Sequence, residues 1–296
     1  MSVFNTARSF VVGGAALLFA TAAFAQECKN PDQLVLSIIP TEETTQEVNL
    51  YAPVLEALKA NTGKRIEFFM PTSYASVVEA MMNGWVNVGM LGPSSYMLAH
   101  DRDPKIEVFA TYTKKKGHLQ EEGPGFKSVL ISRKDSEFSN IESLRGKIVG
   151  LVEPASTSGD LLPRVVFGKE IDSKLEDYFS KVVYTGGHDL SVLAVKEGRV
   201  DAAFVATHRF DNVVDRGLAT VEEFNVLWES PVVPQDPFVY RMDLCQDIRD
   251  AIKTTFLSLD KNPAAKRFLD NINSTKFVEM STKDYQIIWD IAASKK

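Results

Sequence analysis

The sequence predicts an α/β protein built from two similar lobes. From Leu34 onward, short β-branched or apolar runs alternate with amphipathic helical patterns, the signature of parallel strands joined by crossover helices. The alternation occurs twice, in units that share a pattern and not a sequence. A stretch punctuated by Pro231, Pro234 and Pro237 then leads away from the second unit.

In order, Leu34 to Ile39 reads as a strand and Glu47 to Asn61 as a helix stopped by Gly63. Arg65 to Met70 is the second strand, Tyr74 to Asn83 a helix stopped by Gly84, and Val86 to Leu91 the third strand. After a helix over Ser95 to His100 come strands at Val108 to Tyr112 and Ser128 to Ser132, separated by a polar loop, Lys114 to Gly125. The second unit runs through strand Lys147 to Leu151, helix Ser158 to Gly168, strand Lys181 to Tyr184, helix Leu190 to Glu197 and strand Asp201 to Val205. Extended segments follow at Val226 to Glu229 and Phe238 to Arg241, and three helices are expected from Leu244 to the end. Loops at the carboxyl ends of parallel strands would face a cleft between the lobes.

The first 25 residues stand apart: Arg8, an apolar run from Phe10 to Ala23, and Ala23-Phe24-Ala25 before Gln26 form a cleavable secretory signal. The run is shorter than the roughly 20 residues that span a bilayer. The chain carries 33 basic and 39 acidic residues, and losing Arg8 leaves the mature chain more negative still. That field attracts neither nucleic acid nor an acidic surface. An exported chain meets an oxidising compartment, so its two cysteines, Cys28 and Cys245, predict one disulfide, with two separate thiols as the alternative. Two cysteines without a nearby histidine make no zinc site, and His100, His118 and His208 lack metal-ligand spacing.

The most informative stretch is Glu153-Pro154-Ala155-Ser156-Thr157-Ser158-Gly159, between a strand and a helix. Hydroxyls at a helix start converge with unpaired N–H groups on an oxyanion, at the positive end of the helix dipole, without an arginine. Ordinary N-capping explains the same residue types. Other strand-to-helix junctions repeat the chemistry: Thr72-Ser73-Tyr74, Gly92-Pro93-Ser94-Ser95-Tyr96, and Thr185-Gly186-Gly187-His188-Asp189. His188 can donate to an oxyanion and Asp189 can accept a proton from one. Thr207 and His208, after the strand Asp201 to Val205, are placed to line the cleft, Thr207 the better of the two by position.

Taken together and in order, these junctions resemble those of the phosphonate-binding family of ABC-transporter solute-binding proteins, which includes phosphite and hypophosphite binders. The carriers are Ile39-Pro40-Thr41-Glu42, Phe69 to Tyr74, Gly92 to Tyr96, Pro154 to Gly159, Gly187-His188-Asp189 and Ser230 to Pro237. The resemblance implies a type II periplasmic-binding-protein fold, with residues 26–132 and 233–296 in lobe 1 and 133–232 in lobe 2. It implies a monomer without a cofactor that closes on its ligand and presents it to a membrane permease. Ser156, Thr157 and Ser158 would hold phosphoryl oxygens, Tyr74 would donate from the opposite lobe, and Ser94, Ser95 and Tyr96 would complete the wall. Asp189 looks like a position where organophosphonate binders hold glutamate, and Leu91 supplies apolar surface where relatives hold a bulkier polar aromatic. Both departures favour a small oxyanion, phosphite or hypophosphite.

Two other readings compete. A hydrolase would use Ser156 or Ser158 as nucleophile and His188 as base, but no G-x-S-x-G elbow is present. A sensor for a membrane histidine kinase would keep the fold, and a cleft thiol would favour it.

Overall fold

The computed structural model describes residues 28–41 and 44–294. The secretory signal and Glu42 of the first junction lie outside them. Two sheets organise the chain. The first has the order β13-β4-β12-β3-β1-β2, the second β10-β6-β9-β7-β8, and a two-stranded pair, β11-β5, lies between.

In lobe 1, β1 (Gln33–Ile38) pairs in parallel with β2 (Arg65–Phe69) and β3 (Val88–Met90). The crossovers are α1 (Thr44–Thr62) and α2 (Tyr74–Met82), and α3 (Pro93–Arg102) leads on from β3 into β4 (Ile106–Lys114). Helix α2 buries Tyr74, Val77, Val78 and Met81, the spacing of one helical face. A Ser73–Ser76 capping box starts it. Lobe 1 packs a single apolar core that includes Leu36, Val54, Met81, Phe109, Phe238 and Phe256.

The chain leaves through β5 (Gly125–Phe126) and returns through β11 (Val233–Pro234), which pair with each other. Between them lie β6 (Ser128–Arg133), β7 (Ile148–Leu151), β8 (Lys181–Tyr184), β9 (Ala202–Ala206) and β10 (Phe224–Glu229). After β7, π-helical turns Thr157–Leu161 and Pro163–Phe167 run into the short α4 (Gly168–Glu170), followed by α5 (Leu175–Tyr178). Helix α6 (His188–Lys196) joins β8 to β9, and α7 (Thr207–Asp215) follows β9.

Ser128–Arg133, expected in lobe 1, pairs antiparallel with β9 and β10 and belongs to the lobe 2 sheet. The crossing therefore lies at β5, not beyond Ser132. Its inward residues Val129 and Ile131 pack with Val192, Val195 and Phe210 of lobe 2.

After β12 (Phe238–Arg241), the C-terminal part contains α8 (Gln246–Leu257), α9 (Pro263–Asn271) and α10 (Gln286–Ala293), but also β13 (Ser274–Glu279), which was not expected. β13 pairs antiparallel with β4 and extends the lobe 1 sheet at that edge, burying Phe277. Cys28 and Cys245 are disulfide-bonded at the N-cap of α8, with Cα atoms 4.7 Å apart. This lies at the pole of lobe 1 where β1 begins and antiparallel β12 ends, away from the carboxyl ends of β1, β2 and β3.

Candidate functional site

A small cavity lies where both lobes and both crossings meet. Lobe 1 contributes Ile39, Tyr74 and Gly92, and the crossings contribute Phe126 and Asp236. Lobe 2 contributes Ser156, Thr157, Ser158, His188, Ala206, His208 and Arg209. Its volume is about 10 Å³, the scale of a single water site.

The serine–threonine–serine run enters as the sequence suggests. Ser156 is the N-cap of the π-helical turn and accepts from Gly159 N at 3.0 Å, leaving its own hydroxyl proton to donate. Thr157 Oγ1 accepts the amide of Ser94 from lobe 1 at 2.8 Å. The first amides of the run have no acceptor inside the helix. A π-helical start of this kind is frequent at functional sites.

The His188 ring is buried at the start of α6, after a turn in which Gly186 takes φ +90, a left-handed conformation that favours glycine. Its Nδ1 accepts the amide of Ala206 at 3.2 Å, so the neutral ring carries its proton on Nε2. Burial, reinforced by Arg209, pulls its pKa down to about 3. His188 is therefore a donor and a poor base, which removes the hydrolase arrangement.

Three more groups complete it, and of these the sequence points only to His208, beside Thr207. Arg209 is buried in the first turn of α7 and reaches Asp236 Oδ2 at 2.9 Å. Burial opposes its charge, but Tyr112, Asp236 and Tyr74 outweigh that and hold the guanidinium above its ordinary range. Asp236, on the returning crossing, also accepts from Tyr112 Oη at 3.1 Å, while its backbone carbonyl accepts from Thr111 Oγ1 at 2.8 Å. Burial pushes its carboxyl up, against the pull of Arg209 and Tyr112. His208 sits beside them with its Nδ1 3.5 Å from Gln235 Nε2 and its Nε2 buried without a hydrogen-bond partner. Burial, then Arg209 and Lys114, hold this ring neutral, well below the ordinary histidine range.

Signals for two of these were present. An arginine in the first turn of a helix opposes the dipole unless an acid or a ligand offsets it. An aspartate in Pro-Gln-Asp-Pro carries no helix to cap.

Other expected residues lie elsewhere. Ser94 offers only its amide, to Thr157, and Ser95 Oγ donates to Ala155 O at 2.8 Å across the lobes. Tyr96 is fully buried in lobe 1, bonded to Thr282 Oγ1 and packed on Tyr285 and Trp289. Thr207 turns to the hinge side, donating to Gln120 Oε1 at 2.7 Å. Asp189, in the first turn of α6, does not line the cavity, so the carboxylate there is Asp236. Leu91 is buried in the lobe 1 core.

The arrangement is a ring of donors (Tyr74, three hydroxyls, two neutral imidazoles and a guanidinium) with one carboxylate. That chemistry holds a small anion. A family model for the periplasmic phosphonate substrate-binding proteins of ABC transporters matches residues 36–285.

The chain belongs to this family.

As a member, it is a periplasmic substrate-binding component of an ABC importer and not an enzyme, and its partners are a small molecule and a membrane permease. It is 31% identical over 260 residues to the phosphonates-binding periplasmic protein of Escherichia coli, covering 86% of this chain and 74% of that one. It is 30% identical over 233 residues to the phosphate-import protein PhnD of Mycolicibacterium smegmatis, covering 76% and 71%. The crystal structure of a binding protein component of a Pseudomonas aeruginosa ABC phosphonate transporter superposes with a TM-score of 0.80 at 25% identity, covering 89% of this chain and 86% of that one. The binding protein's two-lobed fold is thus the type II periplasmic-binding fold of these relatives.

Proposed function

We propose that this binding protein, exported as a monomer by its N-terminal signal, captures a small phosphorus oxyanion, phosphite or hypophosphite ahead of organophosphonates. The observation that carries this reading is the lining of the cavity: donors from both lobes and Arg209 face one small space. Ile39 and Phe126 supply the apolar wall suited to P–H in place of P–O.

Three groups bear the anion. The hydroxyls of Ser156, Thr157 and Ser158 and the amides beside them take the phosphoryl oxygens from lobe 2. Tyr74, whose phenol burial holds above its ordinary pKa and so protonated, donates from lobe 1. Arg209 supplies the charge. Charge-assisted hydrogen bonds contribute about 1.5 to 3 kcal/mol each, so a few of them reach the roughly 8 kcal/mol of micromolar binding after association costs. Asp236 Oδ2 is committed to Arg209 and Tyr112. Oδ1 is left to accept a P–OH, which ranks phosphite above hypophosphite.

The relatives carry phosphate and phosphonates in their names, and the phosphorus oxyanion head is what those ligands share. The sensor reading loses its motive, because among the described residues no cysteine is free.

Thermal shift tests the ranking, since a ligand that binds only the folded state raises the melting temperature with its affinity. Phosphite is expected to stabilise most among phosphite, hypophosphite, methylphosphonate, aminoethylphosphonate and phosphate. Aminoethylphosphonate as the best stabiliser would overturn the ranking.

A further inference from the structure

Three hydrogen bonds join the lobes beside the cavity, and all three use the segment Glu153 to Thr157. Ser94 N donates to Thr157 Oγ1 at 2.8 Å, Ser95 Oγ to Ala155 O at 2.8 Å, and Tyr74 N to Glu153 Oε2 at 3.0 Å. Thr157 is part of the cavity wall, whereas Glu153 is not. The first amides of a helix lack acceptors within it. In α2 the Ser73 side chain satisfies Ser76 N, and the amide of Tyr74 is met by a carboxylate from the opposite lobe, where the helix dipole favours an anion. Among the described residues Glu153 forms no salt bridge. A carboxylate beside a cavity that binds anions works against the ligand's charge, so its place there calls for another role.

We propose that Glu153 is a positioning residue that latches the closed cleft, capping α2 from lobe 2 and thereby seating Tyr74 against the ligand. This rests on the cavity being the ligand site. Donor and acceptor belong to different lobes, so the bond forms on closure and is lost on opening. Removing it speeds release and leaves encounter unchanged, because the ligand docks before the lobes meet.

The test is stopped-flow binding of phosphite to the parent, Glu153→Ala and Glu153→Gln proteins. Glu153→Ala is expected to raise the dissociation rate roughly tenfold, the loss of one charge-assisted bond, with association within about twofold of the parent. Glu153→Gln keeps an acceptor oxygen and is expected to fall between, with the ligand-free melting temperature unchanged in both. Dissociation rates all within about twofold of the parent, or a fall in ligand-free stability that glutamine does not rescue, would overturn the latch. Should the parent bind no phosphite, the ligand reading fails and the latch is judged by spin-label distances between the lobes. Without ligand, Glu153→Ala must then populate longer distances than the parent, and identical distributions would sink the proposal.

Discussion

At the cavity, two imidazoles are held neutral by burial, and that has a cost in acid. The pKa of His188 lies at about 3 in the folded protein against 6.5 ordinarily. Between those values the unfolded chain binds a proton that the folded protein does not. Stability must therefore fall as pH drops through that window, and His208 acts in the same direction. For His188 alone the loss reaches about 2 kcal/mol by pH 5. Urea midpoints at pH 7.5 and pH 5 check this: the parent should lose more stability than His188→Gln, and equal losses would contradict the assignment. The residues here were unequally legible. Ser156 to Ser158 were legible not alone, since N-capping explains hydroxyls at a helix start, but because other strand-to-helix junctions repeat the same chemistry. His188 was visible as a titratable group at a strand-to-helix junction. Arg209 and Asp236 were not seen, because each looks like an ordinary surface charge until the fold buries both and sets them 2.9 Å apart.

At the level of elements, the cradle depends on one tight approach. A Cβ placed on Gly159 would come within 2.3 Å of Val152 Cβ and Cγ2 and 3.0 Å of Ser156 Oγ. Val152 N is in turn bonded to Gly159 O at 3.0 Å, so the loop cannot swing away freely. Gly159→Ala is expected to destabilise the protein by about 1 to 3 kcal/mol through overpacking and to weaken binding by displacing Ser156. Paired melting and binding measurements test this, and native values in both would contradict it. The parallel units were readable because helix and strand periods alternate cleanly. β13 was not, because Ser274–Glu279 is a mostly polar strand between helices and is an edge strand whose outward face needs no apolar pattern. The side taken by β6 was likewise hidden: its sequence specifies a buried strand but not which sheet it joins.

At the scale of the whole molecule, each lobe has its own sheet and core, and the paired crossings β5 and β11 hold them in register. The cavity exists only where the two meet, so its ring of donors is a property of the closed form. The disulfide ties the segment before β1 to α8 at the far pole of lobe 1, outside the moving parts. The central claim, that this closure captures a small phosphorus oxyanion, is tested most directly by isothermal titration calorimetry of the mature, ligand-stripped protein with phosphite. The control is Ser158→Ala, in which a cavity hydroxyl is removed without breaking a side-chain hydrogen bond found among the described residues. The account predicts micromolar or tighter binding to the parent and a loss of about tenfold or more in the variant. A folded parent that releases no heat with phosphite, hypophosphite or phosphate, or a variant that binds as tightly as the parent, would contradict it.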